Sequence, residues 1–181
     1  MKRYVALLRG INVGGNNLIK MPALKASFER QGFTDVATYI QSGNVVFSAR
    51  TSRDLEKRLE SALAEEFGYA ARVTVRDEKQ LRAIIEKAPR GFGAKPHKFR
   101  YDVLFVFSPR SADEVMKFVE LKDGVDTADA GDGVIYHSRL IAKATSSRLR
   151  KIIALPIYKD LTIRNWKTTS ALLALMRRTE A

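Results

Sequence analysis

The 181-residue sequence contains no cysteine, and it has only one tryptophan and two histidines. The lack of cysteine excludes disulfides, thiolate nucleophiles and cysteine metal sites. No apolar run approaches the roughly 20 residues that a membrane-spanning helix needs. The apolar run that follows Met1 is also too short for a signal peptide. We therefore expect a cytoplasmic protein with no membrane partner.

Recognisable catalytic and metal-binding patterns are also missing. His97 and His137 lie far apart and lack acidic neighbours at metal-ligand spacing, so no metal site is expected. The chain has no G-x-S-x-G nucleophile motif and no conspicuous pair of carboxylates. Four aspartates repeat at every third residue, which is not the spacing of a calcium loop: Asp123, Asp126, Asp129 and Asp132. Catalytic residues and cofactors therefore stay unknown.

Basic residues are abundant and unevenly placed. Lys and Arg total 32 against 20 Asp and Glu, which gives a net charge of +12. The stretch from Ser138 to Arg178 is strongly basic, whereas Asp113 to Asp132 is mostly acidic. Such an uneven charge distribution can steer an anionic partner toward one end of the molecule. Alternatively, the basic surface serves only to keep the protein soluble. The predicted nucleic-acid contacts cluster around one short predicted helix and the loop after it: Arg148, Arg150, Lys151 and Lys159.

Hydrophobic periodicity predicts the first half of the chain as β-α-β-β-α-β. Pro22 suits the first turn of a helix, Gly32 ends that helix, and Gly68 ends a second one. Either Thr51 or Ser52 is expected to cap the second helix. The predicted strands are 3–9, 36–40, 45–47 and 72–76.

The second half is predicted as β-α-β-β-α. Asp77 with Gln80 and Ser111 with Glu114 resemble capping boxes, each of which opens a helix. Residues 89–100 read as a loop, and the apolar run 102–107 is expected to be a central strand. Three apolar residues should face inward from the helix after Ser111: Val115, Phe118 and Val119. Strands at 125–129 and 133–138, a helix over 145–153 and a final helix capped by Asn165 complete the prediction.

These patterns predict an α+β protein built from two ferredoxin-like (split β-α-β) units in tandem, with a C-terminal helical segment. The expected divisions are an N-terminal unit with its linking helix at 1–88, a linker loop at 89–100 and a C-terminal unit with basic helices at 101–181. The oligomeric state stays open.

The segment Arg9–Asn17 is the first candidate site. It follows a strand and holds three glycines and three asparagines in nine residues. Such a loop can direct backbone N–H groups toward an anion, with charge from flanking cations. The alternative is a structural loop whose asparagines satisfy its own backbone. The predicted ligand-binding residues are Arg9, Asn12, Gly14, Gly15, Asn16 and Lys20.

Two further segments are candidates. Gln41, Ser42 and Asn44 belong to a predicted turn, where they either bind a ligand at a sheet edge or form a hairpin that needs glycine between them. Arg164-Asn165-Trp166 contains the only tryptophan. Trp166 could stack on a base while Arg164 binds phosphate. Alternatively, Asn165 is a helix cap and Trp166 packs in the core.

Three segments together resemble the bacterial family called domain of unknown function 1697: R-G-I-N-V-G-G (9–15), T-Y-I-Q-S-G-N-V-V-F (38–47) and T-I-R-N-W-K-T (162–168). The similarity is collinear over essentially the whole chain. Lys167 stands where the family pattern R-N-W-N-T usually has asparagine. The resemblance implies an α+β fold and brings no activity or catalytic residues.

Three functional hypotheses follow. The first is a protein that binds a phosphate-bearing ligand, with nucleic acid as the preferred form. The second is an enzyme that acts on a small phosphorylated or nucleotide substrate held by the Arg9 loop. The third is a structural or assembly role. We expect the three motifs to converge on one site. A single deep pocket lined by all three would favour the enzyme, and a long basic groove with exposed aromatic residues would favour nucleic acid.

Overall fold

The computed structural model describes residues 1–12, 18–50 and 53–178. The chain divides into two compact units. Unit 1 comprises Met1–Arg82 with Ala171–Ala181, and unit 2 comprises Ala83–Ser170.

Unit 1 contains one antiparallel four-stranded sheet with the strand order β2-β3-β1-β4. Its elements are β1 (Lys2–Arg9), α1 (Met21–Arg30), β2 (Thr34–Tyr39), β3 (Asn44–Ala49), α2 (Leu55–Phe67) and β4 (Arg72–Asp77). The helices pack on one face because Leu24, Phe28, Leu59 and Leu63 recur at helical spacing and are all fully buried. The predicted β-α-β-β-α-β order is confirmed.

Local signals explain most boundaries of unit 1. Pro22 lies in the first turn of α1, and Gly68 ends α2 in a left-handed conformation with φ of 64°. The α2 N-cap is Asp54, which is also left-handed and makes no side-chain cap bond. The predicted caps Thr51 and Ser52 lie outside the described residues.

Unit 2 repeats the same architecture with the order β6-β7-β5-β8, again antiparallel throughout. Its strands are β5 (Phe99–Val106), β6 (Asp126–Gly131), β7 (Val134–Leu140) and β8 (Leu161–Asn165). Its helices are α4 (Ala112–Met116) and α5 (Leu149–Ile153), with 3-10 helices at Ile141–Ser146 and Pro156–Asp160. The helices α3 (Glu78–Glu86) and α6 (Trp166–Arg177) each have residues in both units. The predicted fold class of two ferredoxin-like units is confirmed.

Three details of the second half were predicted wrongly. Leu161–Asn165 is a strand that completes the sheet, and its five residues are too short to stand out in the sequence. Phe118 is 46% exposed because α4 ends at Met116, so helical spacing no longer applies to it. The helix expected over 145–153 breaks at Ser147, which is extended.

Candidate functional site

The Arg9 loop and the Gln41 turn interlock in unit 1 through the side chain of Asn12. Its Nδ2 donates to the main-chain oxygens of Ile19 and Gln41, both at 3.0 Å, and its Oδ1 accepts from the Ile19 N–H at 2.8 Å. Asn12 itself is left-handed, with φ of 53°, a conformation that asparagine tolerates well. Asn12 therefore joins the two ends of the loop to the turn.

The Gln41 turn depends on Gly43 for its close fit. Gly43 has φ of 73°, and a Cβ placed on it would lie 2.8 Å from the Leu8 Cβ and 2.9 Å from Ile11. Its oxygen accepts from the Leu8 N–H at 2.8 Å. Fully buried Asn44 donates to the Tyr39 oxygen at 3.0 Å and to Ser42 Oγ at 2.9 Å. The amides of Asn12 and Asn44 thus bond within the protein.

The remaining predicted residues of unit 1 lie around this junction. Arg9 ends β1, and its main-chain oxygen accepts a hydrogen bond from the Tyr69 hydroxyl. Burial raises the pKa of Tyr69. Lys20 and Gln41 are exposed. Gly14, Gly15 and Asn16 lie outside the described residues. Ligand binding by this group stays a prediction.

The third motif joins β8 to α6 in unit 2. Asn165 Oδ1 accepts from the Thr168 N–H at 2.7 Å, so Asn165 caps the helix. Arg164 is only 7% exposed, and its Nη1 donates to Thr162 Oγ1 at 2.9 Å and to the Ile163 oxygen at 2.8 Å. Burial lowers the pKa of Arg164 to about 10. A ligand role for Arg164 stays a prediction, as does convergence of the three motifs.

Trp166 belongs to a cluster of aromatic rings. The Phe92 ring meets Trp166 edge-on at 5.1 Å between centroids, and it also contacts Tyr101 at 4.9 Å and Tyr136 at 5.4 Å. Gly93 passes directly over the indole, because a Cβ placed there would lie 2.2 Å from the Trp166 Nε1. Trp166 keeps part of its surface exposed.

A cavity of about 550 Å³ opens beside this cluster, and we call it the aromatic cleft. Its walls carry three partly exposed rings and two exposed cations, and none of its described lining residues is acidic. The N-cap and first two residues of α6 also line it, and a helix N-terminus carries partial positive charge. The lining residues are Gly93, Pro96, Phe99, Arg100, Tyr101, Ile141, Asn165, Trp166 and Lys167. Sequence reasoning found only Asn165 and Trp166 among them.

The predicted nucleic-acid contacts lie around α5: Arg148 is its N-cap, Arg150 and Lys151 belong to it, and Lys159 follows it. Arg148 and Lys151 both pair with Glu120, with N–O distances of 3.4 and 2.5 Å. Arg150 and Lys159 are exposed. The acidic partner therefore offsets part of the basic charge that the sequence shows in this segment.

A buried polar cluster in unit 2 was missed by sequence reasoning. His137 is completely buried in β7, and its Nε2 lies 3.6 Å from Oδ1 of Asp126. Burial lowers the pKa of His137 to about 4, against the raising effect of Asp126. Asp126 Oδ2 accepts the N–H groups of Lys122 at 3.0 Å and Arg148 at 2.9 Å, which attaches the start of α5 to β6. The sequence did hold a signal for this burial: side chains alternate between the two faces of a strand, so His137 in β7 lies on the same face as the apolar Ile135.

Neither a metal-binding cluster nor a membrane-spanning helix is present in the described ranges 1–12, 18–50 and 53–178. Within them, no cluster of three or more His, Asp or Glu side chains could hold a metal ion. No helix in the same ranges is both long and apolar enough to span a membrane.

Comparisons with known proteins place the chain in a family. A solved structure, that of the conserved bacterial protein SP0830 from Streptococcus pneumoniae, is similar with a TM-score of 0.84 and 27% sequence identity. The alignment covers 97% of this chain and 99% of that one. None of the curated proteins matches the chain. The family model described as protein of unknown function (DUF1697) matches residues 1–136, and the chain belongs to that family.

Proposed function

We propose that the protein binds a phosphate-bearing ligand that also carries an aromatic base, with nucleic acid as the preferred form, and that the aromatic cleft is the binding site. The observation that carries this proposal is the combination of Phe99, Tyr101 and Trp166 with Arg100 and Lys167 around one cavity. Aromatic rings stack on bases of any sequence, and Lys or Arg contacts neutralise phosphates.

The charge of the aromatic cleft favours an anion over a neutral ring compound. Arg100 and Lys167 are exposed at the cleft, so their charges stay hydrated until a phosphate arrives. The N-terminus of α6 adds partial positive charge from Asn165, Trp166 and Lys167. The volume of about 550 Å³ lies in the range of about 300–1,000 Å³ that small-ligand sites occupy.

The two alternative hypotheses carry less structural support. An enzyme with a substrate at the Arg9 loop needs side chains that are available to the substrate, yet Asn12 bonds to Ile19 and Gln41. A purely structural role leaves the rings and cations of the aromatic cleft without a purpose. A cytoplasmic location, where nucleic acid is present, forms part of the proposal.

Fluorescence anisotropy with labelled single-stranded and duplex oligonucleotides tests the proposal. At about 50 mM salt, where electrostatic binding is strong, we expect saturable binding that weakens steeply as salt is added. Lys167→Glu should reduce affinity about tenfold, because it removes a phosphate contact and adds repulsion at the cleft.

The matched control is Lys117→Glu, which makes the same charge change at an exposed lysine of unit 2 that does not line the aromatic cleft. Equal effects of the two variants would mean that only net charge matters. Absence of binding in the wild type would refute the proposal.

A further inference from the structure

A second cavity, of about 510 Å³, lies next to the aromatic cleft in unit 2, and we call it the hydroxyl cavity. Phe99 and Tyr101 line both cavities. The loop Gly91-Phe92-Gly93 also contributes to both, since Gly93 lines the aromatic cleft and Phe92 lines the hydroxyl cavity. The two cavities therefore share walls, and one extended ligand can reach both.

The loop between the cavities is held closely against the aromatic cluster. Gly91 and Gly93 have φ of 81° and 83°, a conformation that residues with a Cβ adopt rarely. They flank Phe92, whose ring contacts Tyr101 and Trp166 edge-on. The shape of both cavities is thus set by packed rings, and stacking surfaces of this kind are formed before a ligand arrives.

The chemistry of the hydroxyl cavity differs from that of the aromatic cleft. Thr127 and Ser138 line it with hydroxyl groups, whose oxygens lie 2.7 Å apart, and exposed Asp129 adds a carboxylate. Carboxylate and hydroxyl oxygens accept hydrogen bonds from the amino groups of cytosine, adenine and guanine. Asp129 suits the amino edge of a base, whereas the exposed Arg90 at this cavity and Arg100 and Lys167 at the aromatic cleft suit the phosphates beside the two bases.

We infer that the ligand is single-stranded nucleic acid and that two consecutive nucleotides occupy the two cavities, the one in the hydroxyl cavity carrying an amino-bearing base. This inference rests on the proposed function of the aromatic cleft. A mononucleotide fills only one cavity. A duplex keeps its bases paired and stacked inside the helix, so single strands are the form whose bases can enter such pockets.

The test compares ligands of increasing length by isothermal titration: a nucleoside monophosphate, dinucleotides, and a hexanucleotide. We expect a dinucleotide of cytidine or adenosine to bind at least tenfold more tightly than the monophosphate. A thymidine or uridine dinucleotide, whose bases lack an amino group, should show a smaller increase in affinity over its monophosphate.

Two variants locate the second nucleotide. For amino-bearing bases, Asp129→Ala should reduce the tenfold difference in affinity between dinucleotide and monophosphate to less than threefold. The affinity for the monophosphate itself should stay unchanged. Thr127→Phe, a substitution suited to an edge strand, should fill the hydroxyl cavity and abolish the gain for every base. The matched control is Asp132→Ala, because Asp132 is an exposed acid outside this cavity.

The outcomes separate the two claims. Equal affinity for monophosphate and dinucleotide would overturn the inference and leave the aromatic cleft as a mononucleotide site. A dinucleotide gain that survives both variants would also overturn it. Failure of every ligand to bind would refute the proposed function itself. Thermal unfolding of each variant by circular dichroism shows whether a loss of binding comes from misfolding.

Discussion

The two sheets share one strand order and yet use their polar residues differently. In unit 1 the side chains of Asn12 and Asn44 bond to the backbone of neighbouring segments. In unit 2 the exposed Arg100 and Lys167 face a cavity with aromatic walls. The comparison teaches that the side chains of a conspicuous polar motif can bond within the fold, whereas a plainer stretch of the second sheet can line a cavity.

The largest expected effect concerns the turn in unit 1. Gly43→Ala should lower the free energy of unfolding by about 2–4 kcal/mol, because it adds both left-handed strain and a clash with Leu8 and Ile11. Gly32→Ala is the matched control, since Gly32 has φ of 81° and open space around it. We expect it to cost about 1–2 kcal/mol from strain alone.

Urea unfolding at one pH measures both values. Similar losses for the two variants would show that the contact between the turn and the Arg9 loop contributes little, and the contrast between the units would weaken.

The next effect is a pH dependence in unit 2. Burial holds the pKa of His137 near 4, below its usual 6.5, so the folded state favours neutral imidazole. Between pH 6.5 and 4 the unfolded chain therefore binds more protons than the folded one. Above pH 6.5 the imidazole is neutral in both states and the free energy of unfolding is not reduced. As the pH falls toward 4, the free energy of unfolding decreases by at most about 3 kcal/mol, since one pKa unit corresponds to about 1.36 kcal/mol.

Chemical unfolding across this pH range checks the effect. His137→Gln should flatten the curve between pH 6.5 and 4, whereas His97→Gln, a change at an exposed ring, should leave it as in the wild type. A wild-type curve that stays level over this range would contradict the account of a buried neutral histidine.

A smaller effect tests the ring cluster of unit 2. Gly93→Ala should displace Trp166, because the added Cβ would lie 2.2 Å from Nε1. We expect oligonucleotide affinity to fall about tenfold. Gly124→Ala is the matched control, since Gly124 has φ of 67°, no atom within 4 Å of the added Cβ and no place in the lining of either cavity. Equal oligonucleotide affinities of the two variants would show that Trp166 does not contribute to binding.

The smallest effect concerns the basic segment around α5. Arg150→Glu with Lys159→Glu should weaken binding alike for all sequences, because phosphate contacts carry no base information. Each lost contact should reduce the salt slope by about 0.7 for single strands. Arg148→Glu should have less influence, since Arg148 already pairs with Glu120. Anisotropy titrations at three salt concentrations distinguish these cases.

Much of the fold could be predicted because its signals are local. Capping boxes at Asp77 and Ser111 and the ends of helices at Gly32 and Gly68 are each determined by a few neighbouring residues. β8 escaped prediction because it becomes a strand by pairing with β5, almost 60 residues earlier.

The aromatic cleft was harder to predict than the fold. Phe99 and Tyr101 belong to β5, whereas Trp166 begins α6 directly after β8, so only the pairing of β5 with β8 brings the rings together. Arg100 and Lys167 looked like ordinary surface charges in the sequence. Burial of Asp126 and His137 likewise depends on pairing between β6 and β7.

The single tryptophan gives the most direct measurement, because Trp166 lies at the aromatic cleft. Titration with a single-stranded oligonucleotide at about 50 mM salt, where electrostatic binding is strong, should quench Trp166 fluorescence saturably. The midpoint should agree with that from the anisotropy of the labelled strand. An anisotropy increase with no change in Trp166 fluorescence would place the ligand elsewhere and contradict the assignment of the cleft.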